Sequence, residues 1–113
     1  MTKITLDLLW KISTNEIYAG IHWSKRSDHK INYRAAYTSK LKALGHYDKA
    51  SIVFDFTFKK NALDASNCSY MVKLLEDCIV KAGVLKDDSP KYVESITISS
   101  KKGDSDSVTI TVV

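Results

Sequence analysis

Apolar and polar residues alternate along Ile4-Thr5-Leu6-Asp7-Leu8-Leu9-Trp10, the period of two that sends successive side chains to opposite faces of a strand. Ser13-Thr14-Asn15 then supplies turn chemistry, and a polar, glycine-marked arm follows. From about Ser27 to Leu44 the period lengthens. Ile31, Ala35, Tyr37, Leu41 and Leu44 recur at roughly helical spacing, Ser27 is a candidate N-cap, and Gly45 lies just past the end, so a first long helix is predicted. Residues 51–58 are β-branched and aromatic, alternate from Phe54 onward and are closed by Lys59-Lys60-Asn61, which predicts a central strand. Between about Ser66 and Ala82, Met71, Leu74, Leu75, Cys78, Ile79 and Ala82 form a core stripe that stops at Gly83, the mark of a second helix. Two last strands, about 92–99 and 107–113, flank Lys101-Lys102-Gly103-Asp104 and read as a hairpin. The order β-α-β-α-β-β predicts an α+β domain of two layers, a mixed β-sheet with two main helices.

Composition bounds the class. A chain of 113 residues has room for one domain, here 1–113, and 44% hydrophobic with 27% charged residues is the balance of a globular protein rather than a disordered one. No apolar run reaches the roughly 18 residues of a membrane span, and the N-terminus lacks the pattern of a signal peptide. A cytoplasmic protein without membrane contact is therefore expected. Cys68 and Cys78 are ten apart on one predicted helix, about 15 Å, too far for a disulfide. They read as reduced core residues. No cysteine–histidine spacing suggests zinc, and His22, His29 and His46 have no evident partners.

The net charge of +4 is unevenly spread. Between Ile17 and Tyr47 stand six Lys/Arg (Lys25, Arg26, Lys30, Arg34, Lys40, Lys42) with Asp28 the only acid. From Asp64 to Asp88 five acids (Asp64, Glu76, Asp77, Asp87, Asp88) face three lysines. Two solvated helix faces of opposite sign would give this pattern. So would a basic surface bordering an acidic pocket, where cations hold phosphate and carboxylates hold a metal.

The segment Leu63-Asp64-Ala65-Ser66-Asn67, a helix carrying Lys73 and Asp77, and then Lys81-Ala82-Gly83-Val84-Leu85-Lys86-Asp87-Asp88 resembles the RusA family of Holliday-junction resolvases. The family pattern is Asp-x-Asp-Asn, a helix bearing a Lys, a Lys-Ala-Gly-like helix end and a closing Asp-Asp. Ser13-Thr14-Asn15 with Tyr18 resembles its opening, so the likeness spans roughly residues 4 to 98. Family members are typically phage or prophage products working in a bacterial host as homodimers, and they need Mg²⁺, for which Mn²⁺ is a candidate substitute. The resemblance implies a structure-selective endonuclease that resolves four-way DNA junctions by paired symmetric nicks.

Residue by residue, the resemblance makes Asp64 and Asp88 acidic metal ligands, with Asp87, Ser66 and Asn67 in supporting places and Lys73 neutralising charge in the transition state. Ser66 stands where the family has its second aspartate, and a hydroxyl is a far weaker Mg²⁺ ligand than a carboxylate. Lys73 lies seven residues after Ser66, where the family places its lysine nearer four. A register fixed from the helix backwards instead puts Asn67 and Ser69 in the two aspartate positions and Asp64 outside the site. Lys73 and Asp77, four apart, can also simply pair on the helix surface. DNA contact falls to Asn15, Tyr18, His22, Lys25, Arg26, Lys30, Arg34, Lys59 and Lys60, with Tyr18, His22 and Trp23 as candidates for stacking on opened bases. The change to Ser66 also leaves open a junction-binding module with the same fold and weakened catalysis.

Overall fold

The residues that define the central strand bury one face completely: Ile52, Phe54, Phe56 and Phe58 have no exposed surface, while Ser51, Val53, Asp55 and Thr57 point to the other side. The computed structural model describes residues 1–20 and 23–113, the side chains of Tyr18 and Trp23 excepted. Its elements are β1 (Thr2–Asp7), α1 (Thr14–Tyr18), α2 (Trp23–Leu41), β2 (Ala50–Phe58), α3 (Ser69–Lys81), β3 (Val93–Lys102) and β4 (Ser107–Val112). Short 3₁₀ turns, Lys42–Leu44 and Ala65–Cys68, follow α2 and precede α3. The chain is an α+β domain: one mixed four-stranded sheet in the order β1-β4-β2-β3, with the two long helices against its apolar face. No helix among the described residues is long and apolar enough to cross a membrane.

β3 and β4 do not form the expected hairpin. β3 pairs parallel with β2, and β4 inserts between β1 and β2, antiparallel to both. Parallel pairing of β2 and β3 needs a crossover, which α3 supplies. The insertion follows from burial. Val108, Ile110 and Val112 of β4 are fully buried and suit an interior strand, whereas β3 carries Ser95, Thr97, Ser99, Lys101 and Lys102 and suits an edge, where charge deters pairing with other chains. The link from β3 to β4 therefore arches over the end of β2: the Gly103 N–H donates to the Phe58 carbonyl (3.0 Å), and the Lys59 N–H donates to Asp106 Oδ1 (2.9 Å).

That arch leaves no space for a side chain at Gly103, where a Cβ would overlap Thr57 Cγ2. Gly103→Ala should cost about 1–3 kcal/mol, and Thr57→Ser, which removes the opposing methyl, should recover most of it. Urea unfolding of the two single variants and the double variant checks this; strictly additive losses would show that the overlap is not the cause.

β1 ends at Asp7, three residues before the expected Trp10. Tyrosines of α2 take over its backbone: Tyr37 Oη donates to the Asp7 carbonyl (2.7 Å) and accepts from the Leu9 N–H (3.0 Å), while Tyr33 Oη donates to the Trp10 carbonyl (2.5 Å). These contacts also correct the predicted face of α2. The helix starts at Trp23, so Ser27 lies inside it rather than capping it. Ile31 is 60% exposed and Ala35 is exposed too; the buried stripe is Tyr33, Tyr37, Leu41 and then Leu44. Ser13-Thr14-Asn15 opens α1 instead of making a turn. Ser13 Oγ accepts from the Asn15 N–H, and Glu16 Oε1 accepts from the Ser13 N–H, a capping box.

Candidate active site

The candidate site is built around α3, and both ends of that helix are fixed by identifiable bonds. At its start the Tyr70 N–H, without a partner inside the helix, donates to Thr14 Oγ1 (2.9 Å), so a residue of α1 caps α3. At its end Gly83 has φ 80°, the Gly83 N–H donates to the Val80 carbonyl and the Val84 N–H to that of Ile79. This Schellman arrangement turns the chain back on the helix. Asp87 Oδ1 then accepts the Asp88 N–H (2.8 Å) and holds the turn.

The return brings Asp88 alongside the middle of α3. A cleft of about 460 Å³ is lined by Ser69, Lys73 and Glu76 of α3, by Asp88, and by Val93, Ser95 and Ile96 of β3. A second depression, lined by Arg26 and Lys30 of α2 with Tyr70, Lys73, Asp77 and Asp88, adjoins it. Lys73 and Asp88 belong to both. The arrangement can hold an anionic ligand against three cations and present carboxylates to its edge.

Of the predicted ligands, Asp88 reaches this cleft; Asp64 and Ser66 do not line it. Asp64 precedes α3 in the chain and Asp88 follows it, and of the two only Asp88 lines the cleft with Ser69 and Lys73. Asp64 is exposed at the head of the Ala65–Cys68 turn, where its side chain makes no capping bond; its carbonyl accepts from the Asn67 N–H. The Asn67 carbonyl in turn accepts from the Thr14 hydroxyl. Ser69, which the backward register puts in an aspartate position, lines the cleft with Lys73 and Asp88. Among the described residues no three His, Cys, Asp or Glu side chains converge as a metal-binding group.

Lys73 does not pair with Asp77. Asp77 is bound by Arg34 of α2 through two bonds, Nε to Oδ2 at 2.6 Å and Nη2 to Oδ1 at 3.1 Å. The guanidinium holds the Asp77 carboxyl below the ordinary carboxylate range. Arg34, predicted to meet phosphate, is thus committed to joining α2 to α3, and Lys73 is left exposed with no ion pair among the described residues. Lys25, Arg26 and Lys30 are exposed on α2, and Arg26 also donates to the Ile17 carbonyl (3.4 Å). Lys59 and Lys60 are exposed just beyond β2, and Asn15 is exposed on α1. Tyr18 belongs to α1, but its side chain, that of Trp23 and the whole of His22 lie outside the described residues. His29 does have a partner: its Nδ1 lies 3.1 Å from Tyr70 Oη. Burial pushes the thiols of Cys68 and Cys78 up to about 11, which makes both inert as nucleophiles at neutral pH.

Glu76 is the site residue that sequence reasoning missed. It is only 4% exposed, and its signal was present: it stands three residues after Lys73 and four after Val72, on a face of α3 that is otherwise largely buried. Burial raises its carboxyl above the ordinary value, Lys73 partly opposes this, and Asp88 adds to it. No protein-family model matches the chain, and no curated protein matches it.

Proposed function

We propose that the chain is a Mg²⁺-dependent endonuclease that nicks branched DNA, in the manner of the RusA-family resolvases it resembles, and that it works as a homodimer in the cytoplasm. The observation that carries this reading is the return of Asp88 along α3 into a cleft with Lys73, next to Arg26 and Lys30. Hydrolysis breaks the bond between phosphorus and the 3′-oxygen; water gives its hydroxyl to phosphorus and its proton to the departing oxygen. Arg26 and Lys30 would hold flanking phosphates, and the exposed ammonium of Lys73 would offset charge developing on the phosphoryl oxygens. A two-fold protein suits a four-way junction cut at two symmetric positions.

The carboxylate and hydroxyl oxygens in the cleft are the hard donors Mg²⁺ takes, and Mg²⁺ usually needs only one or two carboxylates beside water and substrate phosphate. The donor set fits, with Asp88 as the holder that the resemblance and the cleft have in common. When bound, the ion would polarise the phosphate and lower the pKa of the attacking water.

A second reading, a junction-binding module without cleavage, is favoured by Ser66 and by the lack of a three-acid group among the described residues. One assay separates them. A synthetic four-way junction incubated with the protein should acquire paired symmetric nicks with Mg²⁺ or Mn²⁺ and none in EDTA. Binding with no nicks under either metal favours the module, and failure to bind the junction at all overturns both readings. Binding should also weaken steeply with salt, by about 0.9 log units per tenfold salt increase for each phosphate neutralised.

A further inference from the structure

The basic depression beside α2 holds a polar group that the reading above leaves without a task, the phenol of Tyr70. Tyr70 lines it together with Arg26, Lys30 and Lys73, and none of these three cations is in an ion pair among the described residues. Two acids share the depression. Asp77 is already matched by Arg34, so Asp88 alone stands against three positive charges. Cations gathered on one concave surface attract an anion to it. The backbone of Tyr70 is fixed by the bond from its N–H to Thr14 Oγ1 (2.9 Å). Its ring meets the ring of His29 edge-on, with centroids 5.8 Å apart and planes at 74°, and His29 Nδ1 lies 3.1 Å from Tyr70 Oη. The phenol therefore has a fixed place, which is what a ligand-holding group needs.

The direction of that bond decides what the phenol can do. A phenol has one hydrogen, and an imidazole nitrogen either gives one or takes one. With Nδ1 as acceptor, the Tyr70 hydrogen is consumed, and only oxygen lone pairs are left for a ligand; these repel an anion. With Nδ1–H as donor, the Tyr70 hydrogen is free for a phosphate oxygen. Burial holds the hydroxyl above its usual value although Arg26 opposes this, so it stays a neutral donor at pH 7. His29 does not line the depression, so it acts on a ligand through the phenol. We infer that Tyr70 Oη donates to a phosphate group held by Arg26, Lys30 and Lys73, and that the Nδ1–H of His29 orients it. The use of this contact on DNA rests on the nuclease reading; the capture of phosphate does not.

Nitrogen NMR of the full chain carrying ¹⁵N-histidine tests the contact apart from activity. Inorganic phosphate, titrated at constant pH and ionic strength, should shift the His29 resonances, and at saturation Nδ1 should carry a hydrogen; chloride at the same ionic strength should do neither. An unprotonated Nδ1 at saturating phosphate overturns the proposal, as does the absence of any phosphate-dependent shift. On a synthetic four-way junction, Tyr70→Phe, which keeps the ring, should weaken binding about tenfold. The dependence on salt should keep its slope, because a neutral hydroxyl releases no counterion, whereas Lys30→Met should lower the slope by about 0.9. His29→Leu should weaken binding as Tyr70→Phe does, and the double variant should be no worse than the weaker single one. His29→Gln, whose amide N–H can still donate to the phenol, should restore most of the affinity. Junction binding and metal-dependent nicking that Tyr70→Phe leaves untouched overturn the contact and leave the nuclease reading standing. A phosphate-dependent Nδ1–H with no junction binding by the wild type supports the contact and defeats the nuclease reading.

Discussion

Lys73→Met should slow metal-dependent junction nicking by roughly 10²–10³-fold, the usual effect of removing one preorganised positive group from a site where charge develops. The side chain is exposed, has no ion-pair partner among the described residues, and stands where the Asp88 cleft meets the basic depression of α2. Its removal therefore breaks no ion pair among the described residues. Stability should change by no more than about 0.5 kcal/mol, as at an ordinary surface position. Methionine retains most of the hydrocarbon stem, so packing over α3 is kept. Single-turnover nicking with the junction saturated by enzyme isolates the chemical step from binding. A full rate with the variant would show that Lys73 is a solvated surface charge. A loss of junction affinity at an unchanged single-turnover rate would move it to the phosphate-holding group with Arg26 and Lys30.

Phe56→Ala should cost about 3–5 kcal/mol. Phe56 is fully buried on the inner face of β2, and its ring stacks against Phe58 with centroids 6.0 Å apart. β2 lies between β3 and β4, so no edge is available for the neighbouring strands to collapse into the cavity. A domain of this size has a total stability of only about 5–15 kcal/mol, so the variant should be close to its unfolding threshold at 37 °C. Guanidinium denaturation followed by circular dichroism measures the loss. A cost under about 1 kcal/mol would mean that the core repacks freely around the missing ring, against the close packing argued for this sheet.

The parts of the fold that could be read from residues alone are those whose cause is local. The period-two alternation through Phe54, Phe56 and Phe58 and the apolar stripe of α3 with Gly83 behind it each lie within one element, and both elements stand within a few residues of their expected bounds. The error on α2 had an equally clear source. Tyr33 can be buried because its hydroxyl finds the Trp10 carbonyl, a partner 23 residues away that no helical pattern reveals. Ile31, apolar but on the outer face, took its place in the expected stripe. The turn assigned to Ser13-Thr14-Asn15 missed a cue that was local: Glu16 completes a capping box.

At the candidate site the segregation of basic and acidic residues could be read along the chain, but which of them meet could not. Asp64 and Asp88 looked equivalent by motif, yet they are attached to opposite ends of α3, and the Gly83 turn carries only Asp88 back to Lys73. Asp77 looked like a helix-surface partner for Lys73 until α2 placed Arg34 against it. Glu76 read as one more charged helix residue because its low exposure, and the cleft it shares with Asp88 and β3, exist only in the folded chain.

The amino-acid order by itself determined the four strands and two long helices, though not the short α1, together with the buried faces of β2 and α3 and the acidic and basic halves, since periodicity, capping and charge act over a few residues. Tertiary structure alone decided that β4 lies inside the sheet, that Arg34 binds Asp77, and that Asp88 shares its cleft with Glu76. Each of these depends on contact between segments far apart in the chain, where burial and pairing energies choose among arrangements that local preference leaves equal.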